Sequence, residues 1–197
     1  MLKTAIFIDY QNFIINLKKH FGERNQDMKW QDLTLIGKEV NERVGLNAEV
    51  TKTYLFASEP SDCLMQLEKY QKISQFLKCL DNKPFFEVIR GRQEIRAIKG
   101  KAFDVNDPDT FYTTEKETDT NLATTMLVKA FHNSYDVAIL FSGDTDYINV
   151  VKALHDIGKI VILAVPMRQN VDKYNGIVDC VIRLDDDILD KCELPRT

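Results

Sequence analysis

The sequence predicts a three-layer α/β sandwich, in which helices cover both faces of a mostly parallel central sheet. Two observations support that prediction. Short apolar runs of strand length alternate with segments whose apolar residues recur every three or four positions, the pattern of successive βαβ units. The 197 residues contain no stretch rich in Pro, Gly or Ser that would separate two halves. We therefore expect a single domain over residues 1–197.

The first part of the chain contains three predicted strands, at residues 4–8, 50–57 and 85–91. Each is a short apolar run bounded by polar or turn-forming residues. Three helices are predicted around these strands from stripes of apolar residues. The first contains Phe13, Ile14 and Leu17, the second covers residues 31–44, and the third covers residues 64–80. The second of these helices is expected to end at Gly45.

The second part begins with residues 92–117, which have no clear period and carry mixed charge. We expect a long loop or hairpin excursion there, and such excursions are often functional. Helices are predicted after it at about 119–134, about 146–157 and near 171–178. Strands are predicted at 137–142, 160–165 and 181–184. The acidic tail DDDILD, at residues 185–190, has no assigned role.

The composition excludes several classes of protein. Hydrophobic residues make up 44% of the chain and charged residues 28%, values near those of globular domains. No window approaches the roughly 18 apolar residues of a membrane span, and the first apolar run is too short for a signal peptide. We therefore expect a cytoplasmic protein without a membrane partner. The net charge of −4 argues against a protein that coats nucleic acid by bulk attraction.

Acidic residues follow two of the predicted strands. Asp9 ends the first apolar run, and Asp144 comes two residues after the strand at 137–142, with Asp146 close behind. In open α/β sheets, ligands bind beyond the carboxyl ends of the strands, where loops and helix amino termini converge. Carboxylates are rarely buried unless a cation or hydrogen bonds compensate their charge. The pattern predicts an acidic cluster with a positive partner at this edge.

A third acid is predicted to join the cluster from a helix. Asp119 precedes the apolar positions Leu122 and Ala123 by three and four residues, so it shares the inward face of that helix. Gathered carboxylates repel unless a divalent cation is present, and oxygen ligands favour Mg²⁺ or Mn²⁺ over zinc. Asn12 could add an amide oxygen or orient a bound water. We expect a Mg²⁺ or Mn²⁺ site formed by Asp9, Asp119, Asp144 and Asp146.

Each acid also has a purely structural interpretation. Asp9 could cap the helix that follows it, and Asp144 and Asp146 could accept hydrogen bonds from turn and helix amides. Asp119 could be an ordinary helix N-cap. The joint placement of these acids at positions expected to converge favours metal binding.

Three segments resemble a known family. FIDYQNF, at residues 7–13, resembles the opening signature of NYN-domain proteins, the LabA-like branch of the PIN-like ribonuclease superfamily, in which F-I-D-G-x-N-L is usual. KETDTNLATTML, at residues 116–127, is similar to their Lys-x-x-Asp-x-x-Leu-Ala segment. ILFSGDTDYINVVKALHDIGKIV, at residues 139–161, resembles their block built on Ser-Gly-Asp-x-Asp.

The resemblance implies a PIN-like, Rossmann-like domain and metal-dependent cleavage of RNA that leaves a 5′-phosphate and a 3′-hydroxyl. Tyr10 stands where Gly is usual in the family, and Thr125 stands where Asp is frequent. These two departures weigh against full activity. The resemblance implies that Asp9, Asp119 and Asp144 are the metal carboxylates and that Asp146 is a fourth acid. It also implies that Asn12, Ser142 and Gly143 shape the site.

Basic residues supply the candidate contacts to substrate. Residues 90–101 contain five basic residues, which include Arg90 and Arg92, and one acidic residue, Glu94. This stretch could follow a phosphate backbone, or it could be a solvated hairpin. Lys116 precedes the helix of the third acid and is the preferred single contact, with Ser142 as a further one. Three aromatic residues of the excursion could stack bases or anchor the loop: Phe103, Phe111 and Tyr112.

These observations predict a Mg²⁺- or Mn²⁺-dependent ribonuclease whose partner is RNA. The alternative from another class is a catalytically weak or inactive domain that binds RNA or a regulatory protein partner. A homo-oligomer is compatible with both. A metal-dependent DNA nuclease is a third possibility, since nothing in the sequence separates RNA from DNA.

Overall fold

The computed structural model describes residues 1–195 and confirms the α/β sandwich. Its seven-stranded sheet contains β1 (Leu2–Asp9), β2 (Ala48–Glu59), β3 (Phe86–Ala97), β4 (Phe111–Lys116), β5 (Val137–Phe141), β6 (Ile160–Pro166) and β7 (Cys180–Leu184). The α-helices in this range are α1 (Tyr10–Gly22), α2 (Ile36–Val44), α3 (Glu68–Asp81), α4 (Thr118–Phe131), α5 (Ile148–Asp156) and α6 (Asp186–Lys191). None of them combines the length and apolar character needed to cross a lipid bilayer.

The strand order is β4-β3-β2-β1-β5-β6-β7, and every pairing is parallel except that of β3 with β4. The chain builds outward from β1 through β2 and β3, then returns through α4 to place β5 on the other side of β1. This reversal is the topological switch point at which open α/β sheets bind ligands. In the sheet register Ile8 pairs with Phe141, so the residues after these two positions are neighbours.

Both faces of the sheet are buried, because successive side chains of a strand point to opposite sides. Ile6 and Ile8 pack in a core with apolar residues of α1, α2, α3 and α6. Ala5 and Phe7 pack in a second core with apolar residues of α4 and α5. Every residue of β5 is buried, as expected of a parallel strand covered on both faces. Strand β1 therefore carries its last residue, Asp9, into an environment that is closed on both sides.

Residues 92–117 form the outer part of β3, a connection, and β4, which lies antiparallel to β3 with Arg92 opposite Lys116. The chain enters α4 directly after β4. The turn between them passes so close to Gly91 that a Cβ there would lie 2.5 Å from the carbonyl oxygen of Lys116 and 2.5 Å from Oγ1 of Thr118. Gly91 thus permits the approach that returns the start of α4 to the carboxyl edge of the sheet.

Several elements differ from the sequence prediction. The helix expected over residues 31–44 begins only at Ile36, because Gln31 forms an isolated β-bridge and residues 33–35 form a turn. The helix expected over residues 64–80 is divided at Leu67, whose backbone is extended, into the 3₁₀ turn Asp62–Gln66 and α3. Residues 171–178 form only the 3₁₀ turn Asp172–Tyr174, because the chain leaves helical geometry at the next residue and turns at the left-handed Gly176. The acidic tail, for which no element was predicted, forms α6.

Helix α6 is held by its apolar and its acidic side chains together. Ile188 and Leu189 are buried in the core that contains α1 and α2. Three of its acids form ion pairs with basic residues of the first 43 positions. These pairs are Asp186 with Arg24, Asp187 with Arg43 and Asp190 with Lys29. The tail is therefore an integral part of the domain.

Candidate active site at the carboxyl edge of the sheet

Asp9 is the most buried acid of the predicted cluster, with 4% of its surface exposed. It caps α1, because its Oδ1 accepts a hydrogen bond of 3.1 Å from the backbone amide of Asn12. Its Oδ2 accepts a hydrogen bond of 2.9 Å from Ser142 Oγ. Ser142 reaches this position because it follows Phe141, which pairs with Ile8 in the sheet. Asp9 therefore caps α1 and also contacts the residue that follows β5.

A tyrosine hydroxyl joins Asp9 to Asp119. Tyr147 Oη lies 2.7 Å from Asp119 Oδ1 and 3.3 Å from Asp9 Oδ2, and its residue is 1% exposed. The two carboxylates come from β1 and from the first turn of α4, and they lie on either side of one hydroxyl. Asp119 itself keeps solvent access. Sequence reasoning missed Tyr147, since an aromatic residue at the start of a helix ordinarily indicates core packing.

The surroundings of Asp9 disfavour its ionised form. Burial raises the pKa of Asp9 most, and the negative charge of Asp119 also raises it, while the hydrogen bonds from Asn12, Ser142 and Tyr147 lower it, so that the net pKa is about 6. Burial, together with the surrounding carboxylates, also holds the pKa of Tyr147 far above its usual value, so its hydroxyl keeps its proton. Neither acid forms an ion pair with a basic side chain within residues 1–195.

Asp144 and Asp146 lie beside this pair without a hydrogen bond to it in the described chain. Asp144 Oδ1 accepts a hydrogen bond of 3.0 Å from the backbone amide of Asp146, which caps the 3₁₀ turn Thr145–Tyr147. Its charge contributes to the raised pKa values of Tyr147 and Tyr174, after the larger effect of burial, so it belongs to the same neighbourhood. Asp146 is exposed. The structure therefore brings two of the four predicted acids to one hydroxyl and leaves the other two at the rim.

Asn12 holds the loop that carries these rim acids. Its Oδ1 accepts hydrogen bonds from the backbone amide of Gly143, at 3.2 Å, and from Gln169 Nε2, at 3.0 Å. A Cβ at Gly143 would lie 2.2 Å from Gln169 Nε2, so a larger residue there would push the Gln169 side chain away from Asn12. The amide oxygen of Asn12 is engaged in positioning the loop. Gln169 was not predicted, because it lies far from the other residues in sequence.

Glu115 is a further acid that the sequence analysis did not single out. Burial raises the pKa of Glu115, and the charges of Asp9 and Asp119 raise it further, while hydrogen bonds from Ser58 and Thr118 lower it. It lines a cavity of about 470 Å³ together with Asp119. The turn after β4, which passes close to Gly91 of β3, brings the last residues of β4 here, so no local sequence pattern could have indicated this acid.

The NYN domain family matches residues 3–176 of the chain, a range that includes every side chain of the site described above. The protein belongs to the NYN domain family. NYN domains are PIN-like and are generally nucleases, which agrees with an acidic site at the switch point of the sheet. The family resemblance inferred from the motifs is thereby confirmed.

A solved structure with a similar fold is that of a protein of unknown function from Vibrio parahaemolyticus. It has a TM-score of 0.59 and 18% sequence identity, with 94% of each chain covered. At that identity the similarity shows the fold alone. No curated protein matches the chain.

The predicted basic contacts of this NYN domain differ in their availability. Arg90 donates hydrogen bonds to Glu59, at 3.0 Å, and to Asp81, at 2.9 Å, so two acids already hold its guanidinium. The Nε of Arg92 lies 3.2 Å from a carboxylate oxygen of Glu117. Lys116 is exposed at the cavity that Glu115 and Asp119 line, and it has no ion-pair partner within residues 1–195.

The donor chemistry of this NYN domain fits Mg²⁺ or Mn²⁺. The converging side chains offer carboxylate and hydroxyl oxygens, with neither sulfur nor imidazole nitrogen, and oxygen donors select these hard cations. Within residues 1–195 no three His, Cys, Asp or Glu side chains are already placed to share one ion. Mg²⁺ commonly uses one or two carboxylates and keeps several waters, so Asp9 and Asp119 suffice as the protein part of such a site.

Proposed function

We propose that this NYN domain is a ribonuclease that depends on Mg²⁺ or Mn²⁺. One observation supports this most strongly: Asp9 is buried at the switch point, shares the Tyr147 hydroxyl with Asp119, and has no basic partner in the described chain. A carboxylate placed out of water without a cation is energetically costly, and a divalent ion between Asp9 and Asp119 would remove that penalty. The nuclease character of the family supports the reaction class.

The proposed direct carboxylate ligands are Asp9 and Asp119, and the other two predicted acids, Asp144 and Asp146, are proposed to support the ion from the rim. A bound Mg²⁺ or Mn²⁺ would supply Lewis acidity for phosphodiester hydrolysis. Among residues of this chain, Ser142 and Tyr147 fix the orientation of Asp9 through their hydroxyls. Such oriented partners keep the ligand oxygens in place and tune their affinity.

The remaining predicted site residues have supporting roles in the proposal. Asn12 holds the backbone of Gly143 and so positions the loop of Asp144. Lys116 would contact a phosphate of the substrate, since it is exposed and unpaired in the described chain beside Asp119. Arg90 and Arg92 would have to leave their acidic partners before they could do the same.

The proposed reaction is hydrolysis of RNA phosphodiester bonds that leaves a 5′-phosphate and a 3′-hydroxyl. The nuclease family supports a nucleic acid as substrate, and RNA is the substrate that the motif resemblance implies. The LabA-like branch, a cytoplasmic location and assembly into homo-oligomers stay predictions. A DNA substrate is an outcome of the same assay.

A second candidate function is binding of RNA or a regulatory protein without cleavage. The observation that favours it is that no three ligating side chains within residues 1–195 are already placed around one point. Thr125, where the family often has Asp, is consistent with it. The two candidates differ in whether purified protein cleaves RNA when Mn²⁺ is supplied.

The test is cleavage of labelled single-stranded and structured RNA with Mn²⁺ by wild type and by Asp9→Asn and Asp144→Asn. Asp27→Asn is the matched control, because Asp27 is an exposed acid away from the site. We expect wild type and the control to cleave at equal rates and both site variants to lose activity. Equal cleavage by all four proteins would indicate a contaminating nuclease, and no cleavage by wild type would favour the binding function.

A further inference from the structure

A groove leads away from the candidate active site between α1 and α3. It consists of three cavities of about 470, 220 and 300 Å³. The first is the one at the acidic rim, and it shares Gln11 and Glu115 with the second. The second shares Tyr10, Ile14 and Ile73 with the third. Consecutive cavities thus share wall residues and adjoin one another in a series that begins at Asp119.

The far end of the groove presents aromatic surface to solvent. Trp30, the only tryptophan of the chain, lines the third cavity and is 52% exposed. The ring of Tyr10 lies between the second and third cavities and packs on Phe76 with 5.9 Å between ring centroids. Tyr70 lines the second cavity, and the ammonium of Lys69 lies 5.3 Å from its ring centroid. Flat apolar surfaces of this kind can accept unpaired nucleobases.

The sign of the charge changes along the path. The charged residues that line the first cavity are three acids and one base, namely Glu115, Glu117, Asp119 and Lys116. The only charged residue in the lining of the third cavity, among the described residues, is Lys72. Lys18 lines the second cavity and has no ion-pair partner within residues 1–195. Lys72 pairs with Glu68 only across a solvent-exposed turn of α3, which contributes little. A polyanion with apolar faces complements this part of the groove.

We infer that the groove between α1 and α3 binds an unpaired RNA segment that continues from the phosphate at the acidic rim. Its bases pack against Tyr10 and Trp30, and Lys18 and Lys72 neutralise its phosphates. The choice of RNA rests on the proposed function, while the requirement for an unpaired strand rests on the groove itself. In a duplex the bases are stacked inside and cannot reach an apolar groove.

The exposed tryptophan supplies a direct readout. Wild-type protein in metal-free buffer with EDTA, where the proposed cleavage cannot proceed, is titrated with an oligouridylate of about ten nucleotides. Stacking on Trp30 is expected to quench the tryptophan fluorescence in a saturable manner. An RNA duplex of the same length is expected to cause no saturable quench. Because base stacking and phosphate neutralisation act on single-stranded DNA as they do on RNA, single-stranded DNA of equal length is expected to bind with similar affinity.

Charge-neutralising variants test where the strand lies. Lys18→Gln combined with Lys72→Gln removes two proposed phosphate contacts, so the slope of log Kd against log salt concentration is expected to fall by about 1.4. The matched control combines Lys38→Gln with Lys83→Gln, which removes the same charge from exposed positions of α2 and of the turn before β3. The control is expected to keep the wild-type affinity and slope. Trp30→Ala, followed by anisotropy of labelled RNA, is expected to weaken binding by about tenfold.

The outcomes separate this proposal from the proposed function. Saturable quenching without any cleavage in Mn²⁺ would retain the groove and refute the nuclease. Cleavage without quenching, or an unchanged salt slope in the Lys18 and Lys72 double variant, would refute the groove and retain the nuclease. Quenching by an apolar helical peptide but not by RNA would assign the groove to a protein partner and overturn the proposal.

Discussion

Two groups of aspartates in this domain have opposite surroundings. Those of α6 and its cap face basic side chains: Arg24 holds Asp186, and Arg43 holds Asp185 at 3.0 Å and Asp187 at 2.9 Å. Those at the carboxyl edge of the sheet, led by Asp9, face hydroxyls, amides and one another. The same residue type is thus compensated by the protein in one region and left without a cation in the other.

The pKa values express this difference. The hydrogen bond from Arg24 holds the pKa of Asp186 below its usual value. Burial raises the pKa of Asp9 from an ordinary 3.8 to about 6. A carboxyl group that is buried without a basic partner, such as that of Asp9, destabilises the folded protein when it is ionised, unless a cation from solution binds to it. The contrast is what distinguishes a structural acidic cluster from a candidate metal site.

The largest expected effect is a gain of stability in Asp9→Asn without metal. The folded state holds the Asp9 proton more tightly than the unfolded state, so the stability from this group is complete below pH 3.8 and is lost as the pH rises towards about 6. The variant removes that loss and is expected to be more stable than wild type by about 3 kcal/mol at pH 7.5. Asparagine also caps helices well, which preserves the start of α1.

Urea denaturation of Asp9→Asn and wild type in EDTA, at pH 4 and at pH 7.5, measures this gain. Comparing the difference between the two proteins at the two pH values cancels the titration of all other groups. Asp27→Asn, at an exposed position, is expected to show no difference. A variant that is less stable than wild type at pH 7.5 would mean that the hydrogen bonds to Asp9 outweigh its burial.

The second effect tests whether a cation supplies the missing compensation. An ion that binds only the folded state stabilises it by about 2.7 kcal/mol at a concentration of 100 times its Kd. Mn²⁺ is therefore expected to raise the melting temperature of wild type. Asp9→Asn and Asp119→Asn are expected to lose this rise, and Asp186→Asn is expected to keep it. An unshifted melting temperature at millimolar Mn²⁺ would favour a domain that binds without cleaving.

The sequence could predict the fold and the placement of Asp9 and of the loop with Asp144 at one edge of the sheet, because both residues follow the ends of predicted parallel strands. Parallel strands of a doubly wound sheet present their carboxyl ends at one edge, and apolar periodicity alone locates those ends. The boundaries of the elements were less predictable. Leu67 belongs to an apolar stripe, yet its extended backbone divides the predicted helix, since tertiary packing overrides a local pattern.

The contacts that complete the site could not be predicted in this way. Tyr147 meets Asp119 across 28 positions of sequence, and Gln169 meets Asn12 across 157. Glu115 reaches the site only because a glycine on β3 lets the turn after β4 approach. The basic stretch illustrates the converse: charge counted along the chain suggested free cations, while Arg90 is held by Glu59 and Asp81, which lie on other elements.

The third effect concerns the hydroxyl that joins the two uncompensated acids. Tyr147→Phe keeps the buried ring and removes the hydrogen bonds of 2.7 Å to Asp119 and 3.3 Å to Asp9. The carboxylates then lose a shared orienting partner, so Mn²⁺ affinity is expected to fall by about 10- to 100-fold. Calorimetric titration with Mn²⁺ measures it. Tyr70→Phe, at a half-buried position away from these acids, serves as the control, and unchanged affinity in Tyr147→Phe would show that Tyr147 only packs.

The smallest effect is expected in the compensated region. Asp186→Asn removes the ion pair with Arg24, but the Asp186 side chain is 56% exposed, so solvent already screens much of the attraction. The loss of stability is expected to be below about 1 kcal/mol and to shrink further in 1 M salt. Urea denaturation at low and high salt measures both parts. A loss of stability as large as the gain expected for Asp9→Asn would mean that α6 depends on its acids rather than on the burial of Ile188 and Leu189. The substitutions in the two groups of aspartates would then change the free energy of unfolding by equal amounts in opposite directions.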